Sequence, residues 1–487
     1  MSTQGRTPVI VGVAQVVQRP GELPLTQARG PIELMVEAAR LAAADAGAGS
    51  LLSRIGFVGV AGGWFRYQNP GQLVGAEFGC SSSATALTAI SGTGPQDLVG
   101  VASQRIAAGD LDVALIVGGE ARWSHQRLSR AEQQPHWDTR PGTGTPESMS
   151  GFPESRRDEN AVFKGAPAAY ALFEDRVRVS LGEGIEEHRT RIAGLWEHYS
   201  EVAANNPYAW DRTPHSADAI REASPSNRMI AFPYTKAMVA NNTVDMSTAI
   251  IVCSLDAAAA AGVPRDRMVF PHVVTSGHET WLIAERRELD GSPALTAAAR
   301  AAFAHAHMDI DDVDHIDLYA CFPSIVQMSS AALGVGPGRD LTVTGGLGFA
   351  GAPVGNAVGH SIAAMVERVR SGGIGLVHGN GGMATKHSFA LYSTEPPAHF
   401  ARIDVQDTVD LQPREPLALD FAGDVTIEAA TLIHDRESAS HVIAAVLDST
   451  GARGFAKNTS VDVFAELTSV GLVGRSGRCT PDGFVHL

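Results

Sequence analysis

Three side chains able to do covalent or proton-transfer chemistry stand where predicted strands end. Cys321 lies in Tyr319-Ala-Cys-Phe322, just past the apolar run His315–Tyr319. His378 opens His378-Gly-Asn-Gly-Gly382, after the run Ile374–Val377. Ser91 opens Ser91-Gly-Thr-Gly94, after Thr85–Ile90. In open α/β sheets ligands bind outside the carboxyl ends of the strands, so all three are candidate pocket residues. Gly92, Gly94, Gly379 and Asn380 beside them leave backbone amides free to face an anionic oxygen. A hydroxyl such as Ser91 accepts an acyl group only with an activating base, and the neighbouring sequence offers none. The alternative is that Ser91–Gly94 is only a tight turn whose amides face a pocket, with Pro95 suited to a first helical turn. Taken singly, Cys321 and His378 also read as a buried thiol and a satisfied histidine. A longer glycine-rich segment, Thr344 to His360, includes Gly346 and Ala352 and leads into a predicted helix, Ser361–Arg370.

The elements that must position these residues alternate. Val9–Val13, Ile55–Val60, Thr85–Ile90 and Asp112–Val117 read as strands, with helices opening at Pro31 and spanning Leu98–Ala108. Such alternation builds a buried, largely parallel sheet. The regularity breaks from about Ala121 to Asn242. There Arg122–Glu159 reads as loop, and Ala168–Leu181 and Ile185–Asn205 as helices. The second carries Ile192, Leu195, Trp196, Tyr199 and Val202 at amphipathic spacing. It is a helical excursion packed on the core, a cap over an active site, or both. Strands resume at Ser247–Ser254, Met268–Thr275, His315–Tyr319, Leu341–Val343, Ile374–Val377 and His387–Tyr392, with helices at Ser292–His307 and Ile325–Leu333. The two series run in similar order, and Gly109–Gly119 parallels Gly372–Asn380, which predicts a duplicated half. Glu395-Pro-Pro397 marks a linker. Beyond it Val425–Ile433, Ser440–Leu447, Gly454–Asn458 and Gly471–Cys479 read as strands and Val461–Thr468 as a short helix, a pattern that predicts a small β-barrel.

Composition excludes several classes. The chain of 487 residues is long enough for two to four domains. Its net charge of -15 disfavours a whole-protein role on nucleic acid or anionic membrane. It leaves room for a local basic pocket. The C-terminal segment is acidic and holds few aromatics (Phe400, Phe421, Phe455, Phe464 and Phe484), which disfavours base stacking. Four scattered cysteines show neither metal-ligand spacing nor a disulfide framework. The longest apolar run, near Ala249–Ala261, is interrupted by Asp256, and nothing resembles a secretory signal or a membrane span. A cytoplasmic location is expected.

Residues 8 to about 395 resemble the thiolase superfamily, closest to its sterol-carrier-protein type and to the non-catalytic thiolase-like branch. The likeness is carried by Pro8-Val-Ile-Val-Gly-Val-Ala-Gln15, Asn206-Pro-Tyr208, Asn242-Thr-Val-Asp-Met-Ser-Thr-Ala249, Tyr319-Ala-Cys-Phe322, the glycine-rich loop and His378-Gly-Asn-Gly-Gly382. Residues 398–487 resemble the oligonucleotide/oligosaccharide-binding (OB) type barrel appended to some thiolase-like proteins. The resemblance implies an α/β fold: a duplicated, five-layered αβαβα core with a helical loop-domain insertion, plus a small C-terminal barrel. The implied domains are residues 1–120 with 243–265, the insertion 121–242, the second half 266–395, and the barrel 398–487.

Thiolase chemistry uses a thiolate that takes the acyl group, an acid/base, and two oxyanion holes. In thiolases the thiolate sits just after the third strand, where helix N-terminal amides lower its pKa. Counting back from Gly118-Gly-Glu120 puts Gly92 there, and one residue of slip puts Ser91 there. Neither is a cysteine, and Cys80 belongs at the opposite edge of the sheet as a buried thiol. The family's Gly-His-Pro segment, which presents a catalytic histidine, matches Gly351-Ala352-Pro353. His360 reads as a helix N-terminal or packing residue. Cys321 resembles the acid/base cysteine of the motif His-Asp-Cys-Phe, although the two residues before it differ. His378 stands where the sterol-carrier type places a histidine.

The resemblance thus implies catalytic candidates Cys321, His378 and Ser91, and ligand-binding candidates Gly92, Gly94, Gly346, Ala352, Gly379, Asn380 and Arg189. Arg189, with Arg176, Arg178 and Arg191, is a candidate for coenzyme A phosphates or, alternatively, solvated helix-surface charge. The implied function is a thiolase-like protein of the acetyl-CoA acetyltransferase family, in lipid metabolism. It is expected to bind CoA or an acyl-CoA thioester, with standard thiolase activity lost or altered, and with no metal or tightly bound cofactor. The alternative is a non-catalytic scaffold or subunit of an acyl-CoA-processing complex. A monomer or a homodimer is expected, since thiolases generally pair through the third strand but a barrel-bearing relative need not.

Overall fold

A computed structural model describes residues 3–152, 162–417, 422–436, 438–480 and 482–487. The chain enters a first sheet in β1 (Pro8–Val17), β2 (Phe57–Val60), β3 (Ala84–Thr88), β4 (Val113–Ala121) and β5 (Glu147–Met149). It forms a short ladder of β6 (Met229–Ala231) and β7 (Tyr234–Thr235), then returns in β8 (Asp245–Ser254). The sheet order is β1-β8-β4-β2-β3-β5. A second sheet holds β9 (Phe270–His278), β10 (His315–Asp317), β11 (Gly375–Gly381), β12 (Lys386–Ser393) and β13 (Ala401–Asp404), in the order β10-β11-β12-β9-β13.

The second sheet repeats the first. β2 is parallel to β4, and β8 is antiparallel to both β4 and β1. Likewise β10 is parallel to β11, and β12 is antiparallel to both β11 and β9. The expected duplication is therefore present in the ladders themselves.

The helices that hold or cover the site are α1 (Pro31–Asp45), α2 (Gly94–Ala108), α3 (Arg122–Arg130), α4 (Ala166–Ser180), α5 (Ile185–Asn205), α6 (Pro293–Ala306), α7 (Pro323–Leu333), α8 (Ala357–Val369) and α9 (Val461–Ser469). Leu98 and Ile106 of α2, with Ile362 and Val366 of α8, pack between Ile116 and Ile250 of one sheet and Val274 and Val377 of the other. Leu34 and Met35 of α1 cover the outer face of the first sheet. Leu295 of α6 and Ile325 of α7 cover that of the second. The layering is αβαβα. Strand β8 shows why central strands read as unbroken apolar runs: Ile251 and Cys253 join the outer core while Ile250 and Val252 join the inner one.

Three expectations need correction. Leu341–Val343 is not a strand. The segment expected as loop holds α3 and also β5, which lies parallel to the edge of β3. After the Pro396-Pro397 linker the chain first returns to the second sheet, as β13 beside β9. The C-terminal unit begins later, at β14 (Gly423–His434), and continues through β15 (Ala439–Leu447), β16 (Arg453–Asn458), β17 (Ser476–Cys479) and β18 (Val485–His486). Its order is β16-β15-β14-β17-β18, and a Lys457–Phe484 bridge links its two ends. It docks on the insertion through Ile433 opposite Ala231 and through the Ala430 amide, which donates to Asp175 at 2.9 Å. Residues 153–159 of the expected loop, and Phe421, lie outside the described residues. Among the described residues no helix is long and apolar enough to cross a membrane.

Candidate functional site

The turn before α2 is where a thiolase-type nucleophile would stand. The Gly94 amide closes it onto the Ser91 carbonyl at 3.0 Å. Ser91 Oγ lies 2.9 Å from Thr93 Oγ1, which donates to buried Asp97 at 3.0 Å, and Ser150 Oγ donates to the same carboxylate at 2.7 Å. Burial raises the Asp97 pKa against these bonds. Among the described residues no imidazole hydrogen-bonds Ser91, so none of them activates the hydroxyl as a histidine base would. The carboxyl end of β11 runs directly against this turn. A Cβ on Gly92 would meet the Asn380 carbonyl at 2.1 Å and the Tyr319 ring at 2.5 Å. A Cβ on Gly381 would meet Ser91 Oγ at 2.2 Å, and one on Gly379 would meet Ser388 Oγ at 2.6 Å. The glycines let the two halves of the molecule touch, and that contact leaves no room for a side chain at position 92.

Cys321 and Asn380 come together beneath α4. Asn380 Nδ2 donates to the Tyr170 hydroxyl at 2.8 Å and lies 3.8 Å from Cys321 Sγ. The same hydroxyl accepts from the Ala384 amide at 2.8 Å and donates to the Gly382 carbonyl at 3.1 Å. Tyr170 stacks on Phe322, ring centroids 4.4 Å apart. Burial pushes the Cys321 thiol up to about 12, with Tyr170 and Asn380 pulling it down only in part. It is a neutral thiol near neutral pH. His378 is not its partner. Its Nδ1 lies 3.2 Å from Ser329 Oγ, its Nε2 lies 3.4 Å from His387 Nδ1, and its ring stacks on Phe389 at 4.7 Å. Burial holds His378 well below the usual histidine range, and His387 adds to the effect. Cys321 thus has Asn380 and Tyr170 as its polar neighbours, because α4 places a tyrosine over the thiol.

The glycine-rich loop is anchored by Asp317, at the end of β10. Asp317 Oδ1 accepts from Thr342 Oγ1 and the Val343 amide, each at 2.8 Å, and from the Thr344 amide at 3.2 Å. These bonds take up the backbone that the sequence pattern assigned to a strand. Gly346 has φ 73°, and a Cβ there would meet the Tyr199 ring of α5 at 2.6 Å. Ala352 is buried, its amide donating to the Asn241 carbonyl at 3.0 Å. Asn356 ties the loop to the first sheet, donating to the Gly118 carbonyl at 2.9 Å and Thr248 Oγ1 at 3.0 Å. His360 packs in α8, 2.8 Å from Gln15 Oε1, and burial lowers it to about 3. Three of the four candidate arginines are engaged elsewhere. Arg189 pairs with Glu186 at 2.7 Å and donates to the Arg221 carbonyl at 3.3 Å, Arg178 pairs with Asp175 at 2.8 Å, and Arg191 with Glu183 at 2.5 Å.

Sequence reasoning missed Tyr170, Asp317 and Asn356. A lone carboxylate inside the apolar run His315–Tyr319 is the signal that marks Asp317. Nothing in the pattern of α4 marks Tyr170.

No family model matches the chain, and a search of curated proteins finds no match. Among solved structures, the fold is similar to the crystal structure of a monomeric SCP2-thiolase like protein type 1 from Mycobacterium smegmatis. The TM-score is 0.83 at 31% identity, over 98% of this chain and 97% of that one. It is similar in fold to an Ltp2-ChsH2(DUF35) aldolase, with TM-score 0.60 and 17% identity over 80% of this chain and 98% of that one. It also resembles in fold an acetyl-CoA acetyltransferase from Syntrophomonas wolfei, with TM-score 0.56 and 16% identity over 80% and 99%. The last two speak for the fold alone, but the first covers nearly the whole molecule and extends to sequence: this chain belongs to the SCP2-thiolase-like proteins of the thiolase superfamily.

Proposed function

We propose that this chain binds CoA or an acyl-CoA thioester without carrying out the thiolase Claisen reaction. One observation carries the second part. Position 92, which gapless counting gives for the nucleophile, faces the Asn380 carbonyl so closely that even a Cβ would sit 2.1 Å from it, and a slip of one residue gives Ser91, a hydroxyl. Ala352 adds to this by leaving the Gly-His-Pro position without an imidazole. Loss of a nucleophile alone costs several orders of magnitude in rate. Family membership supports the thioester as ligand. The arginines Arg178, Arg189 and Arg191 are already ion-paired, so we look to other cations for the CoA phosphates. Calorimetry with CoA and acetyl-CoA, beside a thiolysis assay with acetoacetyl-CoA, tests both parts. Saturable binding without turnover is expected, and measurable thiolysis sinks the reading.

A second reading is a non-catalytic subunit or scaffold. It draws support from the Cys321 thiol, which is buried beneath Tyr170 and held neutral. One fold neighbour is a two-component assembly by its own description, an Ltp2-ChsH2(DUF35) aldolase. We read the C-terminal strands as an OB-type barrel already docked on its own chain, which fills in one molecule the place of such a partner. Absence of calorimetric heat with either thioester favours this reading. On either reading we propose a monomer, since β5 occupies the edge of β3 through which thiolases generally pair.

A further inference from the structure

At the carboxyl end of β4 lies an open cavity that the proposed function does not use. It holds about 670 Å³ and is lined by residues at and beyond the carboxyl ends of β2 and β4, together with Pro31 of α1, His125 of α3 and residues within 135–139 after α3. Both its size and its place are those of ligand sites in α/β proteins. Its walls are aromatic: Trp64, Tyr67 and Trp137 face it. Trp64 is 42% exposed, a large apolar surface offered to solvent. The Arg122 guanidinium covers its ring at 3.7 Å. Trp137 packs against Gly30, where a Cβ would lie 2.3 Å from its Cγ.

Arg66, Arg122, His125 and Thr139 also line the cavity, and Glu120 is the carboxyl among its lining residues. It is only 4% exposed, and its Oε1 accepts from the Trp64 amide at 2.5 Å. Among the described residues no donor reaches Oε2. Burial pushes this carboxyl up to about 7, against the pull of the Trp64 amide and Arg122. Near neutrality it both donates and accepts.

The charges narrow the ligand. A cationic ligand meets Arg66 and Arg122, which line the cavity with His125, and an anionic one meets Glu120 wherever that carboxyl is ionised. A hydroxyl suits both, since it gives a proton to a carboxylate and takes one from a guanidinium. A ring with axial C–H groups stacks on an indole face without a charge.

We propose that this cavity binds a small uncharged ring bearing hydroxyls, its apolar face against Trp64 and its hydroxyls shared between Glu120 and Arg122. The ring is that of a free saccharide or the ribose of a nucleoside. Neither source depends on the chain binding a thioester. Saturation-transfer NMR on the full chain, with methyl β-glucoside and with adenosine as probes, separates them. Saturation of the glucoside ring protons assigns the site to saccharides, and saturation of the adenosine ribose protons assigns it to nucleosides. Trp64→Ala, at an exposed position, abolishes the signal, and Trp64→Phe retains it. Glu120→Ala weakens binding about tenfold, the loss of one hydrogen bond to the ligand. Transfer to neither probe, transfer to the adenine protons alone, or an unchanged signal in Trp64→Ala overturns the proposal.

Discussion

Two strand ends, β4 and β11, occupy the same place in the two halves and do opposite things. Val117 of β4 pairs with Val60, and Val377 of β11 pairs with Asp317. The register therefore makes Glu120 the counterpart of Asn380, and Val60 the counterpart of Asp317. Glu120 looks into an open aromatic cavity. Asn380 lies under Tyr170, with Cys321 beside it. Beyond Val60 the first half goes on to a paired third strand, β3. Beyond Asp317 the second half has no such strand, and the carboxylate holds the backbone that would have formed it. Duplication has preserved the ladders. What lies past their carboxyl ends is set by what packs there, and in the second half that is α4 from the insertion.

The most damaging way to break this comparison is Asp317→Ala. The Thr342 hydroxyl and the Val343 and Thr344 amides lose their acceptor while buried. A stranded donor costs about 1–3 kcal/mol, and the shared backbone makes the three losses less than additive, so about 4 kcal/mol of destabilisation is expected. Denaturant unfolding measures it. The counterpart Val60→Ala, a buried apolar truncation, is expected to cost about 2 kcal/mol. If the two cost the same, the carboxylate does not anchor the loop.

Gly92→Cys puts a thiol at one of the two positions, 91 and 92, that the resemblance implies for the nucleophile, yet it should not bring thiolase chemistry. The new Cβ collides with the Asn380 carbonyl and Tyr319, and overpacking of this kind costs about 3 kcal/mol. Mass spectrometry after incubation with acetyl-CoA is expected to find no acetyl adduct at position 92. An adduct would show that the two halves part readily at this contact.

How far the sequence foretells this follows the same division. Helix α5 runs over Ile185–Asn205 as its amphipathic spacing predicts, because one apolar stripe decides both its ends. The central strands are legible as apolar runs. β5 is not, because Glu147-Ser-Met149 becomes a strand only by pairing with β3, and no local propensity announces that. Leu341–Val343 errs the other way, since its pattern suits a strand but its amides go to Asp317. At the site, only the resemblance marks Gly92, Ser91 and Ala352, as positions where a thiolase would carry its cysteine or histidine. The closure of the cleft is not legible, since Tyr170 reaches Asn380 from 210 residues away in sequence.

The open strand end makes a pH prediction. Burial raises the Glu120 carboxyl from 4.5 to about 7 in the folded chain. Between those values the unfolded chain releases its proton while the folded chain keeps it. Stability therefore falls as pH rises through that window, by roughly 2 kcal/mol from this group. Glu120→Gln is expected to flatten the decline in denaturation midpoints measured between pH 5 and pH 7. An equal slope in the variant would place the carboxyl in a wetter setting than its burial implies.

The smallest effect on stability, and the sharpest test of the contrast, comes from Tyr170→Phe. The ring and its stacking on Phe322 remain, so only the hydroxyl is lost. Asn380 Nδ2 and the Ala384 amide lose an acceptor, for about 1 kcal/mol if water enters to replace it. Such water needs a path, and the path ends at Cys321. Alkylation of Cys321 by iodoacetamide is expected to be slow in the wild type, where burial pushes the thiol up to about 12. In Tyr170→Phe it should rise at least tenfold, while Cys253, buried in the first half's core, does not change. Equal rates at Cys321 in both proteins would mean that packing of the whole α4 face, rather than the tyrosine hydroxyl, closes the second strand end, and the asymmetry between Asn380 and Glu120 would then rest on the helix instead of on one residue.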